Sequence, residues 1–249
     1  MTRSAVAQAC GFTLMAASAG PVLAQEAQAT TVERFEGIAR SQDGALVYRE
    51  RHRVEYEAGR PIRSLTAYFD PAGKKIAELR SDYRASSFAP RYTFVDADGR
   101  TREAAGLLPG GVELQRERER KVLEPGPAQM QVVLGQGLHQ LVRSKLDELA
   151  RGAGLVVRFG IPSRLEAYPF RIEREESPDP RLVRLRIRID NWLLALLAPS
   201  LEVDYEQATR RLMRYGGVSN LPGPDGDPMK VVIRYVYQDD ERLAGGGAP

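Results

Sequence analysis

The chain has 249 residues, with 36 basic against 33 acidic side chains, a formal charge of +3 and 43% hydrophobic residues. That near balance is not the footprint of a nucleic-acid binder, and no nucleic-acid partner is expected. One cysteine, Cys10, rules out an internal disulfide framework, and with only two histidines, His52 and His139, a Cys/His zinc site has too few ligands.

Residues 1–24 read as a cleavable secretory leader. Arg3 precedes an apolar stretch from Ala5 to Ala19, Gly20-Pro21 breaks it, and Val22-Leu23-Ala24 offers small or modest residues before a cut at Gln25. The run is too short and too alanine-rich to span a bilayer, which takes about 20 strongly apolar residues. Cys10 lies inside the leader and lacks the leucine that lipid attachment expects three positions earlier. A periplasmic protein released near Ala24 is therefore expected. Its parts are a flexible segment over 25–31, one β-rich domain over 32–238 and a loose Gly-rich tail over 239–249.

Ala45 to Tyr56 alternates, with Tyr48, Glu50, His52, Val54 and Tyr56 on one face and Arg49, Arg51 and Arg53 on the other. Pro61–Phe69 is the next strand, and Asp70-Pro71-Ala72-Gly73 has the chemistry of the turn that closes it. Lys75–Tyr83, Arg91–Val95, Arg100–Gly106 and Val112–Leu123 continue the pattern, with a hairpin turn at Asp96-Ala97-Asp98-Gly99. The period then changes. Leu134, Leu138, Leu141, Val142, Leu146 and Leu149 recur at helical spacing, which predicts one long helix over 128–151 ended by Gly152.

Strands resume at Leu155–Phe159, Ser163–Glu175 and Leu182–Ile189, the last with Arg184, Arg186 and Arg188 outward. A short apolar segment, Trp192 to Leu197, precedes Leu201–Tyr205, Arg211–Tyr215 and Lys230–Tyr237. The fold class is thus α+β and mainly antiparallel. A curved meander of about ten strands, an unclosed barrel, wraps round one long helix, because that arrangement buries both apolar faces.

No catalytic motif emerges. No serine sits in a nucleophile elbow, no glycine loop is set to cradle phosphate, and Asp96–Gly99 departs from a calcium loop in its glycine position. No catalytic residue, metal ligand or cofactor is assigned. His139 reads as a boundary residue of the helix and His52 as a semi-buried strand residue. The candidate ligand-binding residues are Trp192, Leu193, Leu196 and Leu197, either a lid over an apolar cavity or a plug that caps the core.

Leader, meander, central helix and short apolar segment together resemble the LolA/LolB-like periplasmic lipoprotein carriers. Tyr68-Phe69-Asp70-Pro71-Ala72-Gly73-Lys74 and Val203-Asp204-Tyr205 with Tyr215-Gly216-Gly217 are similar to segments of uncharacterised secreted bacterial proteins. The carrier resemblance implies a half-open barrel binding an apolar or amphiphilic ligand, a lipid or a lipoprotein. The alternative is an envelope interaction or structural protein without a small ligand. In that case the rows Arg49/Arg51/Arg53 and Arg184/Arg186/Arg188 would meet an anionic membrane surface or an acidic partner, or simply be solvated.

Overall fold

The computed structural model describes residues 30–238 apart from 125, 128, 191–199 and 224–226. These residues form one sheet of fifteen strands and one α-helix. The strands are β1 (Thr30–Arg40), β2 (Leu46–Glu57), β3 (Arg60–Phe69), β4 (Lys75–Asp82), β5 (Arg91–Asp96), β6 (Thr101–Leu108), β7 (Gly111–Arg116) and β8 (Glu119–Leu123). After β9 (Val132–Leu134) comes α1 (Gly137–Ala150). Then follow β10 (Leu155–Ile161), β11 (Glu166–Glu175), β12 (Leu182–Ile189), β13 (Leu201–Glu206), β14 (Leu212–Pro222) and β15 (Pro228–Tyr237).

The strands run antiparallel as two meanders, β1 to β8 and β10 to β15, joined where β1 pairs with β15. Only β9 lies parallel to its neighbour, β10. The predicted class therefore holds, a mainly antiparallel, unclosed sheet with a single helix, but the strand number does not. Some of the difference is local. Val112–Leu123 is a hairpin rather than one strand, because Glu117 adopts a left-handed φ of 52° and turns the chain. Thr30–Arg40 carries small residues, Gly37 and Ala39, at inward positions and so showed little apolar alternation.

The helix is also shorter than its predicted span of 128–151. Val132 to Leu134 pairs with Arg158 to Gly160 instead, and Gly135 at φ 47° separates this strand from the helix. β-branched Val132 and Val133 favour the extended form once a partner strand is at hand. At the other end Gly152, at φ 89°, carries the C-terminal turn as expected.

Register assigns one continuous concave face. It passes through Val157, Ile172, Leu185, Val203, Tyr215, Ile233, Ala39, Tyr48, Tyr68, Ala77, Phe94, Ala105 and Leu114. Bulges beside three turns at the same end, at Ala39/Arg40, Tyr68/Phe69 and Phe94/Val95, add the local twist that curls the sheet. Among the described residues the two edge strands, β8 and β9, do not pair as strands; the edges overlap. A Cβ at Gly160 would lie 2.5 Å from Leu134 Cδ2 and 3.2 Å from Leu114 Cδ2, so the outer side of β9–β10 lies against the concave side of β7. Arg116 donates to the Ser163 carbonyl at 3.1 Å, Arg158 donates to the Glu124 carbonyl, and Lys121 pairs with Glu166 across the same seam. The result is a barrel-like roll.

Two apolar clusters fill it. One gathers Val133, Leu141, Val142, Leu146, Leu149, Val157, Ile172 and Leu185, which is the helix on the β9–β13 half. The other gathers Phe35, Tyr48, Tyr68, Leu79, Phe94, Leu114, Leu134 and Tyr235.

Candidate functional site

The concave face of β2 and β3 carries polar side chains among the aromatic ones. Glu50, Ser64 and Thr66 are buried, Thr66 with no exposed surface. Alternation puts Glu50 and His52 on the inner side of β2, and the β2–β3 register sets His52 opposite Thr66. Gly37 pairs with Glu50 in β1. A Cβ there would stand 2.8 Å from Glu50 Oε2 and 3.0 Å from Ile233 and Tyr235, so the missing side chain makes room for the carboxylate.

Glu50 Oε2 lies 2.8 Å from His52 Nε2, and His52 Nδ1 lies 2.9 Å from Thr66 Oγ1. Gln136, just before α1, donates from Nε2 to Thr66 Oγ1 at 2.8 Å and accepts from Ser64 Oγ at 2.8 Å. Tyr83 OH lies 3.2 Å from Ser64 Oγ. One assignment of hydrogens satisfies every member. Tyr83 donates to Ser64, Ser64 to Gln136, Gln136 to Thr66, Thr66 to the His52 Nδ1, and His52 Nε2–H to Glu50. The relay runs in one direction and ties the helix start to β2, β3 and the residue that follows β4. Phe35 stacks on the His52 ring at 4.3 Å and fixes its plane.

Four tyrosines, Tyr48, Tyr68, Tyr215 and Tyr235, surround the other side of this carboxylate. Burial holds each well above the ordinary phenol range, and the Glu50 charge adds to it. They are therefore neutral donors and acceptors at any physiological pH.

Carboxylate, imidazole and hydroxyl in sequence have the connectivity of a nucleophilic triad. The surroundings give it other work. Thr66 already accepts from Gln136 and is sealed from solvent, so no reacting carbonyl has a path to within about 3–3.5 Å of its oxygen. What the arrangement can do is hold a proton-ordered relay and set the helix.

Beyond the relay the helix crosses one end of the roll. Arg143 donates to Tyr56 OH at 2.6 Å and to Glu33 at 3.3 Å, while Arg210, in the β13–β14 turn, donates to the Arg143 carbonyl at 2.8 Å. Burial pushes the Tyr56 phenol up to about 12. His139 bonds Tyr205 OH through Nδ1 at 2.9 Å, and burial, with Arg143 and His52 adding, lowers it to about 3. It is a neutral, partly buried contact between helix and sheet, which matches its expected boundary position.

The opposite end is closed differently. Between Val218 and Pro222 the β14–β15 register breaks, with the β14 chain longer than its partner. The extra residues reach across the mouth: Ser219 Oγ donates to Tyr48 OH at 3.0 Å and Asn220 Nδ2 to Tyr68 OH at 3.3 Å, with Leu221 buried beside them. The expected ligand residues Trp192, Leu193, Leu196 and Leu197 lie outside the described residues, on the connection that leaves β12 after Ile189 and re-enters the sheet at Leu201.

The arginine rows are on the convex face, as alternation predicted, and most of them are paired across strands. Arg184 makes a two-pronged contact to Asp204 at 2.7 and 2.9 Å, Arg186 pairs with Glu175 at 2.6 Å, Arg188 with Glu173 at 3.2 Å and Arg51 with Glu36 at 3.3 Å. These faces therefore carry alternating charge rather than a cationic sheet, and rather than the apolar band of a membrane-embedded barrel. Of the residues forming the relay, only Glu50 and His52 stand out in the sequence, as polar side chains on the face they share with Tyr48, Val54 and Tyr56. Gln136 was hidden inside the predicted helix.

No protein-family model matches this chain, and no curated protein does. Among solved structures the chain is similar to a β-barrel-like protein of a domain of unknown function from Brucella abortus. That likeness has a TM-score of 0.47 and 7% identity over 82% of this chain and 95% of that one. The barrel-like roll is accordingly drawn from this chain's own strand register, and the lipoprotein-carrier resemblance has no family match behind it.

Proposed function

We propose that the mature chain, released into the periplasm after cleavage near Ala24, is a binding protein for an apolar or amphiphilic ligand, a lipid or a lipoprotein acyl group. The observation that carries this reading is the contrast between the two ends of the roll. The helix end is fastened by the relay, the Arg143 cluster and the apolar face of α1. Among the described residues the other mouth is held by two side-chain hydrogen bonds, from Ser219 and Asn220, and by the buried Leu221 beside them, over an aromatic floor of Tyr48 and Tyr68. A neutral hydrogen bond contributes about 0.5–1.5 kcal/mol net, so this closure is light enough to open for a ligand. Opening uncovers aromatic rings and phenol hydroxyls together, which suits an acyl chain carrying a polar head.

The test is native mass spectrometry of protein recovered from the periplasm, with N-terminal sequencing alongside. Bound lipid, and a mature start near Gln25, would support the reading. Protein that is consistently empty, and that takes up no fluorescent fatty acid even when Ser219→Ala and Asn220→Ala remove the closure, would defeat it. The second reading, an envelope interaction or structural protein with no small ligand, is favoured by one observation: the described part of the concave face is packed with side chains. The same experiment separates the two.

A further inference from the structure

Two places on the convex face repeat one pattern, an aspartate flanked across strands by two arginines. In the first, Arg184 of β12 and Arg214 of β14 flank Asp204 of β13. In the second, Arg63 of β3 and Arg91 of β5 flank Asp82 of β4. The first is self-contained. Asp204 takes both prongs of Arg184, Arg214 approaches at 3.9 Å and also reaches Glu202 at 3.4 Å, and the aspartate side chain is 3% exposed.

The second is not. Both oxygens of Asp82 are occupied by Arg84, two residues along its own chain, at 2.9 and 3.1 Å from Nε. That contact holds the Asp82 carboxyl down at about 2. Among the described residues neither Arg63 nor Arg91 has a carboxylate within ion-pair distance, and both are exposed. They sit in a groove of about 370 Å³ together with Arg53, Arg80, Leu65 and Thr93. Arg53 is matched by Glu55, and Arg80 shares Glu78 with Lys75, so among the described residues Arg63 and Arg91 are the arginines of the groove that have no acid partner. Their strands are two sheet spacings apart, about 10 Å, a span that two guanidinium groups close on one tetrahedral anion. The Arg91 stem rests on β6, its Cβ, Cγ and Nε 3.4–3.6 Å from where a Cβ of Gly106 would stand, so its guanidinium has to turn back over β4 to share an anion with Arg63.

We propose that this groove on β2–β5 is a binding site for a phosphoryl group, held between Arg63 and Arg91. Guanidinium forks match phosphate oxygens in pairs, and the groove has room for a headgroup around the phosphate. The site is on the outer surface and is independent of any ligand inside the roll. It also replaces the rows Arg49/Arg51/Arg53 and Arg184/Arg186/Arg188 as the place where an anionic surface would be met, because most of those charges are already paired.

The test uses the mature chain with two probes: phosphatidylcholine vesicles with and without phosphatidylglycerol, followed by sedimentation, and glycerol 3-phosphate, followed by calorimetry. Binding to the vesicles alone would identify a lipid headgroup, and binding to both probes a free phosphate ester. In either case Arg63→Gln with Arg91→Gln should weaken binding about tenfold or more, the loss of two charge-assisted contacts. Arg186→Gln with Arg188→Gln, which removes the same charge from a paired row, should leave it unchanged. Circular dichroism confirms that both variants fold. Absence of binding to either probe, or equal behaviour of the two double variants, would overturn the proposal.

Discussion

From β1 to β5 the concave face carries Tyr48, Glu50, His52, Ser64, Thr66 and Tyr68, whereas from β10 to β13 it carries Val157, Ile172, Leu185, Ile187 and Val203. The helix spans both. Its apolar stripe of Leu141, Val142, Leu146 and Leu149 meets the aliphatic half, and the residues before and along its other side, Gln136 and Arg143, meet the polar half. Burial without direction supplies stability on one side; hydrogen bonds with fixed partners supply position on the other. A helix held only by the aliphatic half could slide along it. The relay to Ser64 and Thr66 specifies one placement.

That division of labour can be broken at several points. The largest effect is expected in the aliphatic half. Leu146→Ala removes a fully buried side chain and should cost about 2–5 kcal/mol in urea denaturation. In the polar half, His52→Ala deletes the partner of the buried Glu50 carboxylate and should cost about 2–3 kcal/mol. Adding Glu50→Gln should recover part of that loss, since the uncompensated charge goes with it; additive losses in the double variant would show that the two side chains do not act as a pair.

The seam gives a third probe. Gly160→Ala forces a methyl against Leu134 and Leu114 and should cost about 1–3 kcal/mol, while an alanine tolerated there would mean that the sheet edges do not overlap. Ser219→Ala should cost only about 1 kcal/mol in denaturation, and its larger consequence should be faster uptake of a fluorescent fatty acid. At neutral pH the smallest effect is expected from His139, whose titration acts only in acid. His139 is neutral in the folded chain down to about 3, against an ordinary value of 6.5, so the unfolded chain binds the extra proton between those values. Stability should therefore fall as pH drops from about 6.5 toward about 3 and be indifferent to this group above that range. His139→Gln should flatten the slope in a pH series of denaturation midpoints.

The inner face of β2 could be read directly, because strand period fixes which side chains share a face and a charged residue among tyrosines stands out. Thr66 and Ser64 share an inner alternation with Tyr68 but carry no signal that singles them out. Gln136 could not be found, since the residues around it continue a helical period that the chain abandons for a strand. The closure by Ser219 and Asn220 was equally hidden. It depends on a register break between β14 and β15, which local sequence does not encode.

The sequence by itself determined the mainly antiparallel class, the meander, the existence of the one helix and the sidedness of its arginines, because each follows from short-range period and turn chemistry. Only the tertiary structure decided how many strands there are, that β1 and β15 join two meanders, and that the edges close by overlap. It alone brought Glu50, His52, Thr66, Gln136, Ser64 and Tyr83 into one relay, and left Arg63 and Arg91 without acids among the described residues while Arg184 found one. These are consequences of long-range register and of competition among neighbours for the same partner. Asp82 and Asp204 each stand between two arginines across strands, but Arg84, two residues along its own chain, takes Asp82, whereas Asp204 has Glu206 at that place and is reached by Arg184 from the neighbouring strand.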